Sequence, residues 1–346
     1  MKTRKKVIVT GGAGYIGSHT AVELYHAGYL PILIDNYANS QASVPLRVNE
    51  LCGAPIPFYE LDCGNRQGLQ KLFKDLGEVF AVIHFAAHKA VGESVNAPAK
   101  YYENNIGSLA NLLQVMAKNS RAGSLPGLVF SSSCTVYGEP EHLPVTESTP
   151  IKPATSPYGF TKQVCEQLIR DVVASGQNLP SVTLRYFNPI GAHPSGLIGE
   201  LPLGTPNNLV PFITQTAAGL RPELTIFGDD YPTPDGTNIR DYIHVVDLAR
   251  AHVKALQFIA SAEASRFNQI VNIGSGSGNS VLEVVQAFEK VTNTKLNYKI
   301  GPKRAGDVIE VWAASNQNIL GWEAEFSLED ALRDAWNWQQ KLALNA

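Results

Sequence analysis

The chain has 346 residues, of which 44% are hydrophobic and 17% charged, with 28 basic against 31 acidic side chains for a formal charge of −3. That length holds two domains or one large one, and so balanced a charge excludes the global basic field that binds nucleic acid or an anionic membrane. Apolar content and net charge are those of an ordinary globular chain, which excludes disorder.

Lys2, Arg4, Lys5 and Lys6 precede an apolar run that covers only residues 7–9 before Thr10-Gly11-Gly12. A signal peptide needs about 7–15 apolar residues, so the run reads as a first strand. Short β-branched runs predict strands over 7–10, 31–35, 56–61, 79–85, 127–131 and 181–187. Amphipathic stretches between them predict helices over 16–27, 45–51, 65–74, 97–118 and 156–173, with Asn65 and Gly77 as start and stop signals of the third. Such alternation implies an α/β fold with a doubly wound, mostly parallel sheet. Past Phe187 the texture changes, and Pro, Gly and Asn crowd 188–211 and 228–238 into loops of the kind that wall a ligand. Residues 239–260 read as one more strand and helix returning to the sheet. Strands near 271–273 and 295–300 and a terminal helix from 328 suggest a smaller mixed α/β domain. No apolar run nears the roughly 18 residues of a membrane span. Cys52, Cys63, Cys134 and Cys165 form no CxxC pair and the histidines show no metal spacing, so free thiols, no metal and a cytoplasmic location are expected.

The sharpest local signal is Thr10-Gly11-Gly12-Ala13-Gly14-Tyr15-Ile16-Gly17, set between a predicted strand and helix. Gly11, Gly14 and Gly17 permit a tight turn and close packing, so the helix N-terminus can face a pyrophosphate. A tight βα turn without a ligand is the plainer reading. Asp35, at the end of the next strand, argues for the dinucleotide, since its carboxylate suits the ribose hydroxyls of NAD and repels the 2′-phosphate of NADP.

The Gly-x-x-Gly-x-x-Gly spacing resembles the short-chain dehydrogenase/reductase superfamily, whose chemistry resides in a Tyr-x-x-x-Lys helix. Tyr158-Gly159-Phe160-Thr161-Lys162 fits, with Ser156-Pro157 as the helix start. Residues at i and i+4 share a helix face, so Tyr158 and Lys162 can enter one pocket. The Lys162 ammonium and a positive nicotinamide ring would favour the Tyr158 phenolate and bring it towards neutral pH. In the run Ser131-Ser132-Ser133-Cys134, the superfamily's hydroxyl-binding position falls on Ser133. Serines at a strand end can also merely satisfy loose backbone groups.

The segments TGGAGYIGSHT (10–20), VIHFAAHKAVGES (82–94), SSSCTVYG, SPYGFTK, LRYFNPIGAHPSG (184–196), PNNLV (206–210), FGDDYPTP (227–234) and IRDYIHVVD (239–247) look like those of the UDP-glucose 4-epimerase family over essentially the whole chain. The resemblance implies a resident NAD and transient oxidation of a UDP-hexose at C4. It places NAD against Tyr15, Ile16, Asp35, Asn36, Asn39, Ser40, Asp62, Cys63, Phe85, Ala86, Ala87, Lys89 and Asn104, with Ser133, Tyr158, Lys162 and Phe187 around the nicotinamide. It places the UDP-sugar against Lys89, Ser133, Tyr158, Asn188, Asn208, Leu209, Thr225, Phe227, Arg240, Arg304, Asp307 and Val311, the arginines clamping its diphosphate. The domains implied are an NAD-binding part, 1–187 plus 239–261, and a UDP-sugar part, 188–238 plus 262–346. Cys134, Cys63 and His88 depart from the family pattern without removing a reacting group.

Two other readings stay open. A nucleotide-sugar 4,6-dehydratase of the same fold needs a carboxylic acid and base straight after Ser133, where Cys134-Thr135 stands. A non-catalytic NAD-sensing scaffold need not keep Tyr158, Lys162 and Ser133 together. The family also implies a homodimer built from the helices over 97–118 and 156–173, with Leu112, Leu113 and Met116 fitting either that contact or an ordinary core. Val311, just before Trp312, falls where family members restricted to plain hexoses carry Tyr. Val lacks about five heavy atoms of Tyr and an N-acetyl group adds about three, so N-acetylated hexosamines are expected substrates too. The plainer alternative is a strand valine whose missing bulk a neighbouring loop refills.

Overall fold

The computed structural model describes residues 4–120, 125–262, 266–303, 308–314 and 319–344. Strand and helix alternate as β1 (Lys6–Thr10), α1 (Tyr15–His26), β2 (Leu30–Asp35), α2 (Ser43–Cys52), β3 (Phe58–Glu60), α3 (Arg66–Leu76) and β4 (Ala81–His84). Then come α4 (Val91–Asn96), α5 (Pro98–Tyr101), a π-helical turn (Tyr102–Ile106), α6 (Gly107–Lys118), β5 (Gly127–Ser133), α7 (Pro157–Ala174) and β6 (Pro180–Tyr186). The second half holds β7 (Asn188–Ile190), α8 (Leu209–Ala217), β8 (Leu224–Phe227), β9 (Ile239–His244), α9 (Val245–Ser261) and β10 (Phe267–Ile273). It ends with β11 (Gly278–Ser280), α10 (Val281–Thr292), β12 (Tyr298–Gly301), β13 (Glu310–Val311) and α11 (Leu328–Leu344).

Seven strands form one parallel sheet in the order β10-β6-β5-β4-β1-β2-β3. Strand side chains alternate faces, and β1 shows it: Val7 and Val9 join one buried cluster with residues of α1 and α9, while Ile8 joins another with residues of α3, α6 and α7. Helix ends follow their sequence signals. Asn65 Oδ1 accepts from Gly68 N–H at 3.0 Å, and Ser156 Oγ caps α7 by accepting from Gly159 N–H at 3.2 Å just ahead of Pro157.

The helix expected over 97–118 is present as one continuous helical path over 98–118, with a π turn inside it. Pro98 begins a new helical turn, and the wide π turn that follows holds Asn105 inward, 3% exposed. Leu112, Leu113 and Met116 are core residues packed beside the sheet. Two strands also lie where chain order did not lead us to look. β10, expected in the smaller domain, is an edge of the main sheet and pairs with β6 over its whole length. β9, expected in the main sheet, lies at the centre of a small sheet ordered β11-β9-β13, with β7 beside it. A parallel neighbour requires a long crossover, and the second region is inserted into the one between β6 and β10, returning through α9 packed on α1. This region has its own core, including Ile213, Ile226, Val284, Phe288 and Leu332.

Strand order reverses between β1 and β4, so a crevice opens at their carboxyl ends. Among the described residues no helix is long and apolar enough to cross a membrane, and no group of His, Cys, Asp and Glu is arranged to hold a metal.

Of the four histidines buried in the packed interior, three bond only uncharged groups. His19 and His252 bond backbone carbonyls and His84 bonds Thr10 Oγ1 at 2.9 Å. Burial lowers their pKa values from 6.5 to about 3 for His19 and His84 and about 4 for His252. Below pH 6.5 the unfolded chain therefore binds protons that the folded chain refuses, and stability falls as pH falls. The slope is up to about 1.4 kcal/mol per pH unit for each histidine. Urea unfolding should show a midpoint that drops steadily from pH 7 to pH 5; a flat midpoint would contradict this account.

Candidate active site

The cradle begins where β1 ends. Gly11 holds a positive φ of +69°, and a Cβ on Gly17 would lie 2.1 Å from the Gly11 carbonyl oxygen, so only glycine lets turn and helix approach this closely. α1 starts at Gly14 with no side-chain cap, and its first intrahelical bond runs from Ser18 N–H to Gly14 O at 3.0 Å. The N–H groups of Tyr15, Ile16 and Gly17 precede that bond, at the positive end of the helix. Asp35, buried at the end of β2, accepts from Ala13 N–H at 3.1 Å, Tyr37 N–H at 2.9 Å and the Ser40 hydroxyl at 2.8 Å. It ties the glycine turn to the next loop. There Asn36 donates to Asp62 at 2.7 Å, Asn39 is exposed, and Cys63 is buried with its thiol pushed up to about 12 by burial. An uncapped helix start beside a buried carboxylate fits a dinucleotide.

The loop after β4 carries Phe85, Ala86 and Ala87, all half-buried. Asn105, absent from the sequence expectation, fastens this loop. Its Oδ1 accepts from His88 N–H at 2.8 Å, and its Nδ2 donates to His88 O at 3.0 Å and to Thr161 Oγ1 on α7 at 3.1 Å. Asn104 donates to the same Oδ1 at 3.0 Å. The His88 ring packs against Tyr101 at 5.5 Å.

Ser133, Tyr158 and Lys162 meet where β5 ends and α7 begins. The Ser133 hydroxyl lies beside the Tyr158 phenol and accepts from Thr135 N–H at 3.2 Å, while Lys162, 4% exposed, donates to Ser131 O at 2.6 Å with its ammonium 5.9 Å from the Tyr158 ring centre. Burial lowers the Lys162 pKa to about 8. Burial also pushes the Tyr158 phenol well above its usual value, Tyr186 adds to this, and the Ser133 hydroxyl opposes it. The expected favouring of the phenolate is not seen from the protein's own groups, because desolvation dominates the Tyr158 phenol.

Behind the trio lies an ion pair that sequence reading missed. Glu166, fully buried one turn beyond Lys162, accepts from Arg185 Nε at 2.9 Å, Arg185 Nη2 at 2.6 Å and Ser132 Oγ at 2.6 Å. Arg185 also donates to the Tyr137 hydroxyl at 3.1 Å, which donates to Asn272 at 2.6 Å. Every charge here has partners, and the network joins α7 to β5, β6 and β10 beneath the serine run. Its signal was an arginine inside an apolar strand.

On the other wall, Phe187, Cys134 and Val311 share one buried apolar cluster with Val136, Tyr137, Val145 and Ala313. Arg240 pairs in register with Val311, and its guanidinium donates to Val308 O at 2.5 Å and Ile309 O at 3.2 Å. Asn188 pairs with Tyr242 on the opposite side of β9. Asn208 precedes Leu209 at the start of α8 and donates to Glu200 Oε1 at 2.6 Å, the oxygen that also receives Lys89 Nζ at 2.9 Å. Thr225 and Phe227 lie on β8, paired with Lys299 and Gly301. Arg304 and Asp307 lie outside the described residues.

A family model described as the NAD dependent epimerase/dehydratase family matches residues 7–274. The chain is 48% identical to the UDP-glucose 4-epimerase of Bacillus subtilis over 335 residues, covering 96% of each chain. It is similar to the crystal structure of a UDP-glucose 4-epimerase from Stenotrophomonas maltophila with bound NAD and formylated UDP-arabinopyranose, with a TM-score of 0.92, 47% identity, and 99% and 100% of the two chains covered. A Bifidobacterium longum UDP-glucose 4-epimerase in complex with NAD+ and UDP matches with a TM-score of 0.92, 44% identity and coverage of 97% and 98%.

Gly17 gives the cradle its most direct test. Gly17→Ala should abolish NAD retention on purification, because the added methyl must force α1 away from the turn. Bound NAD released by acid and quantified against protein reads this out; wild-type content in the variant would rule the cradle out.

Proposed function

The chain belongs to the NAD dependent epimerase/dehydratase family and, within it, to the UDP-glucose 4-epimerases, and from that premise we propose that Tyr158, Ser133 and Lys162 carry its reaction. The reaction is NAD-dependent epimerisation at C4 of a UDP-hexose. The observation that supports these roles is the meeting of all three side chains at the carboxyl end of β5, the sheet edge that also carries the glycine cradle. NAD, when bound, would supply the acceptor and donor for the C4 hydride. Tyr158 takes the proton from the sugar O4 and gives it back after the 4-keto sugar has turned over about its phosphate linkage. Ser133 orients O4 and the phenol together. Lys162 holds the cofactor ribose and lends its charge to the phenolate.

Asp35 binds the adenosine ribose, and the remaining cofactor contacts are those expected above from Gly11 to Phe187. The UDP-sugar contacts in this reading are Lys89, Asn188, Asn208, Leu209, Thr225, Phe227, Arg240 and Val311, and by the resemblance alone Arg304 and Asp307, which lie outside the described residues. The 4,6-dehydratase reading finds no support at Cys134, whose buried thiol is pushed up to about 12. That group cannot stand in for a carboxyl acid or base.

We keep the division into an NAD-binding and a UDP-sugar part, with 267–273 moved to the first and the strand 239–244 to the second. We place the protein in a reducing cytoplasm as a homodimer. All four cysteines are free and buried. Val95, Tyr102 and Phe160 leave an exposed apolar face on α4, the π turn and α7, the Tyr102 and Phe160 rings 6.1 Å apart, where helices of two copies can pack.

Tyr158→Phe should still bind NAD and UDP-sugar and lose roughly 10³-fold in turnover, with Ser133→Ala losing less. Lys162→Met should reduce both turnover and NAD content. Turnover near that of wild type in Tyr158→Phe, measured with UDP-galactose, removes the base assignment.

Val311 sets substrate breadth in this reading. It packs with Phe187 and Cys134 in a small apolar cluster, where Tyr would occupy the space an N-acetyl group needs. Wild type should interconvert UDP-N-acetylglucosamine and UDP-N-acetylgalactosamine besides the plain hexoses. Val311→Tyr should lose the acetylated pair and keep UDP-galactose. An unacetylated-only wild type, or a Tyr variant with both activities, shows that Val311 is not the gate.

A further inference from the structure

Segment 191–200 leaves β7 and crosses in front of the cofactor cradle, held from both sides. From the cofactor side, the Tyr15 hydroxyl donates to Gly191 O at 2.7 Å and Arg47 donates to Leu197 O at 3.4 Å. From the other, Trp338 of α11 donates its indole N–H to Glu200 O at 3.1 Å, while the Arg47 guanidinium lies over the same indole at 5.1 Å. Gly199 is glycine for a stated reason, since a Cβ there would lie 2.4 Å from the Trp338 ring. A bridge between Ala192 and Gly199 and a bond from His193 N–H to Ile198 O at 3.0 Å close the segment on itself. It is a short, stiff strap.

At its end stands Glu200, a carboxylate no step above uses, with its side chain only 11% exposed. One oxygen, Oε1, accepts from Lys89 Nζ at 2.9 Å and from Asn208 Nδ2 at 2.6 Å. Lys89 stands on the loop after β4, in the cofactor part, and Asn208 opens α8, in the inserted part. A largely buried carboxylate is stable there because an ammonium and an amide both donate to it. Glu200 neutralises Lys89 and fixes both donors at one point.

We propose that Glu200 is a positioning residue that pins the strap across the cleft, joins the two walls and slows the escape of bound NAD. This rests on the reading of NAD as resident cofactor. The Lys89–Glu200 pair alone is half-exposed and worth little. Its leverage comes from the strap: NAD held against Tyr15 cannot leave until Tyr15–Gly191 and Glu200–Lys89 part together.

The test is the release of NAD from purified holoenzyme, followed by timed gel filtration at low and high salt. Glu200→Gln keeps an acceptor for Asn208 but loses the charge pair. Its release should be roughly ten-fold faster than wild type, with kcat at saturating NAD within about two-fold. Salt should speed release in wild type and change it little in Glu200→Gln, because screening acts on the pair that the variant lacks. Trp338→Phe, which removes the indole bond to the strap and leaves an aromatic ring, should also release NAD faster. Wild-type release rates and salt dependence in both variants would overturn the proposal. So would unchanged release accompanied by a large fall in kcat, which would make Glu200 part of the chemistry. A wild type that binds no NAD in a separate titration overturns the cofactor reading, and this proposal with it.

Discussion

Parallel pairing is the constraint on which the rest of the structure depends. With all strands of the main sheet running one way, every carboxyl end opens on the same edge, and the reversal of strand order between β1 and β4 leaves a crevice there. The glycine turn follows β1, Asp35 ends β2, Asp62 follows β3, Phe85 follows β4, Ser133 ends β5 and Phe187 follows β6. Residues spread over more than half the chain meet because each lies at, or within two residues of, the carboxyl end of a strand. Shifting one strand by a residue would turn its core face outward and withdraw its site residue together. Fold stability and catalytic geometry are therefore one problem.

Burial dictates the electrostatics of this edge. It drives Tyr158 and Lys162 towards their neutral forms, one pushed up and the other lowered to about 8. By the protein's own groups alone the phenolate is thus strongly disfavoured, while the lysine keeps most of its charge at neutral pH. Close by, Glu166 and Arg185 remain a fully hydrogen-bonded ion pair at almost complete burial. Removing either partner would strand the other, so the pair fixes β5, β6 and α7 in one arrangement. Ser132 and Ser133 show the division along a single strand: Ser132 is bonded to Glu166 behind the site, and its neighbour faces Tyr158.

The parts of this architecture legible in the sequence were those with local physical signatures. Alternating β-branched runs gave β1 to β6, and the glycines at 11, 14 and 17 gave the cradle, because their causes act within a few residues. The Tyr158–Lys162 pairing was legible for the same reason, being one helical turn. Asn105, Glu166–Arg185 and Glu200 were not. Each gains its role from partners such as His88, Ser132 or Lys89 that only tertiary folding supplies. The misplaced strands have a related cause. Phe267–Ile273 and Ile239–His244 are both short apolar strands, and nothing within either says which sheet it joins. The start of the long helix carried a visible mark in Pro98, whereas the π turn inside it carried none.

Inserting the second region inside a crossover, not appending it after the sheet, has a mechanical consequence. The chain leaves the main sheet after Tyr186 and rejoins it at Phe267, so both ends of the insert are anchored on adjacent, paired strands. The insert cannot drift from the cofactor edge as a domain on a single linker can. Its pocket wall is correspondingly composite, Cys134 and Phe187 coming from the ends of β5 and β6 and Val311 from the small sheet. An epimerisation has no net redox change, so NAD must remain while sugars come and go. A doubly anchored insert meets that demand by holding the cleft to one geometry, because neither end of it can move without parting β6 from β10.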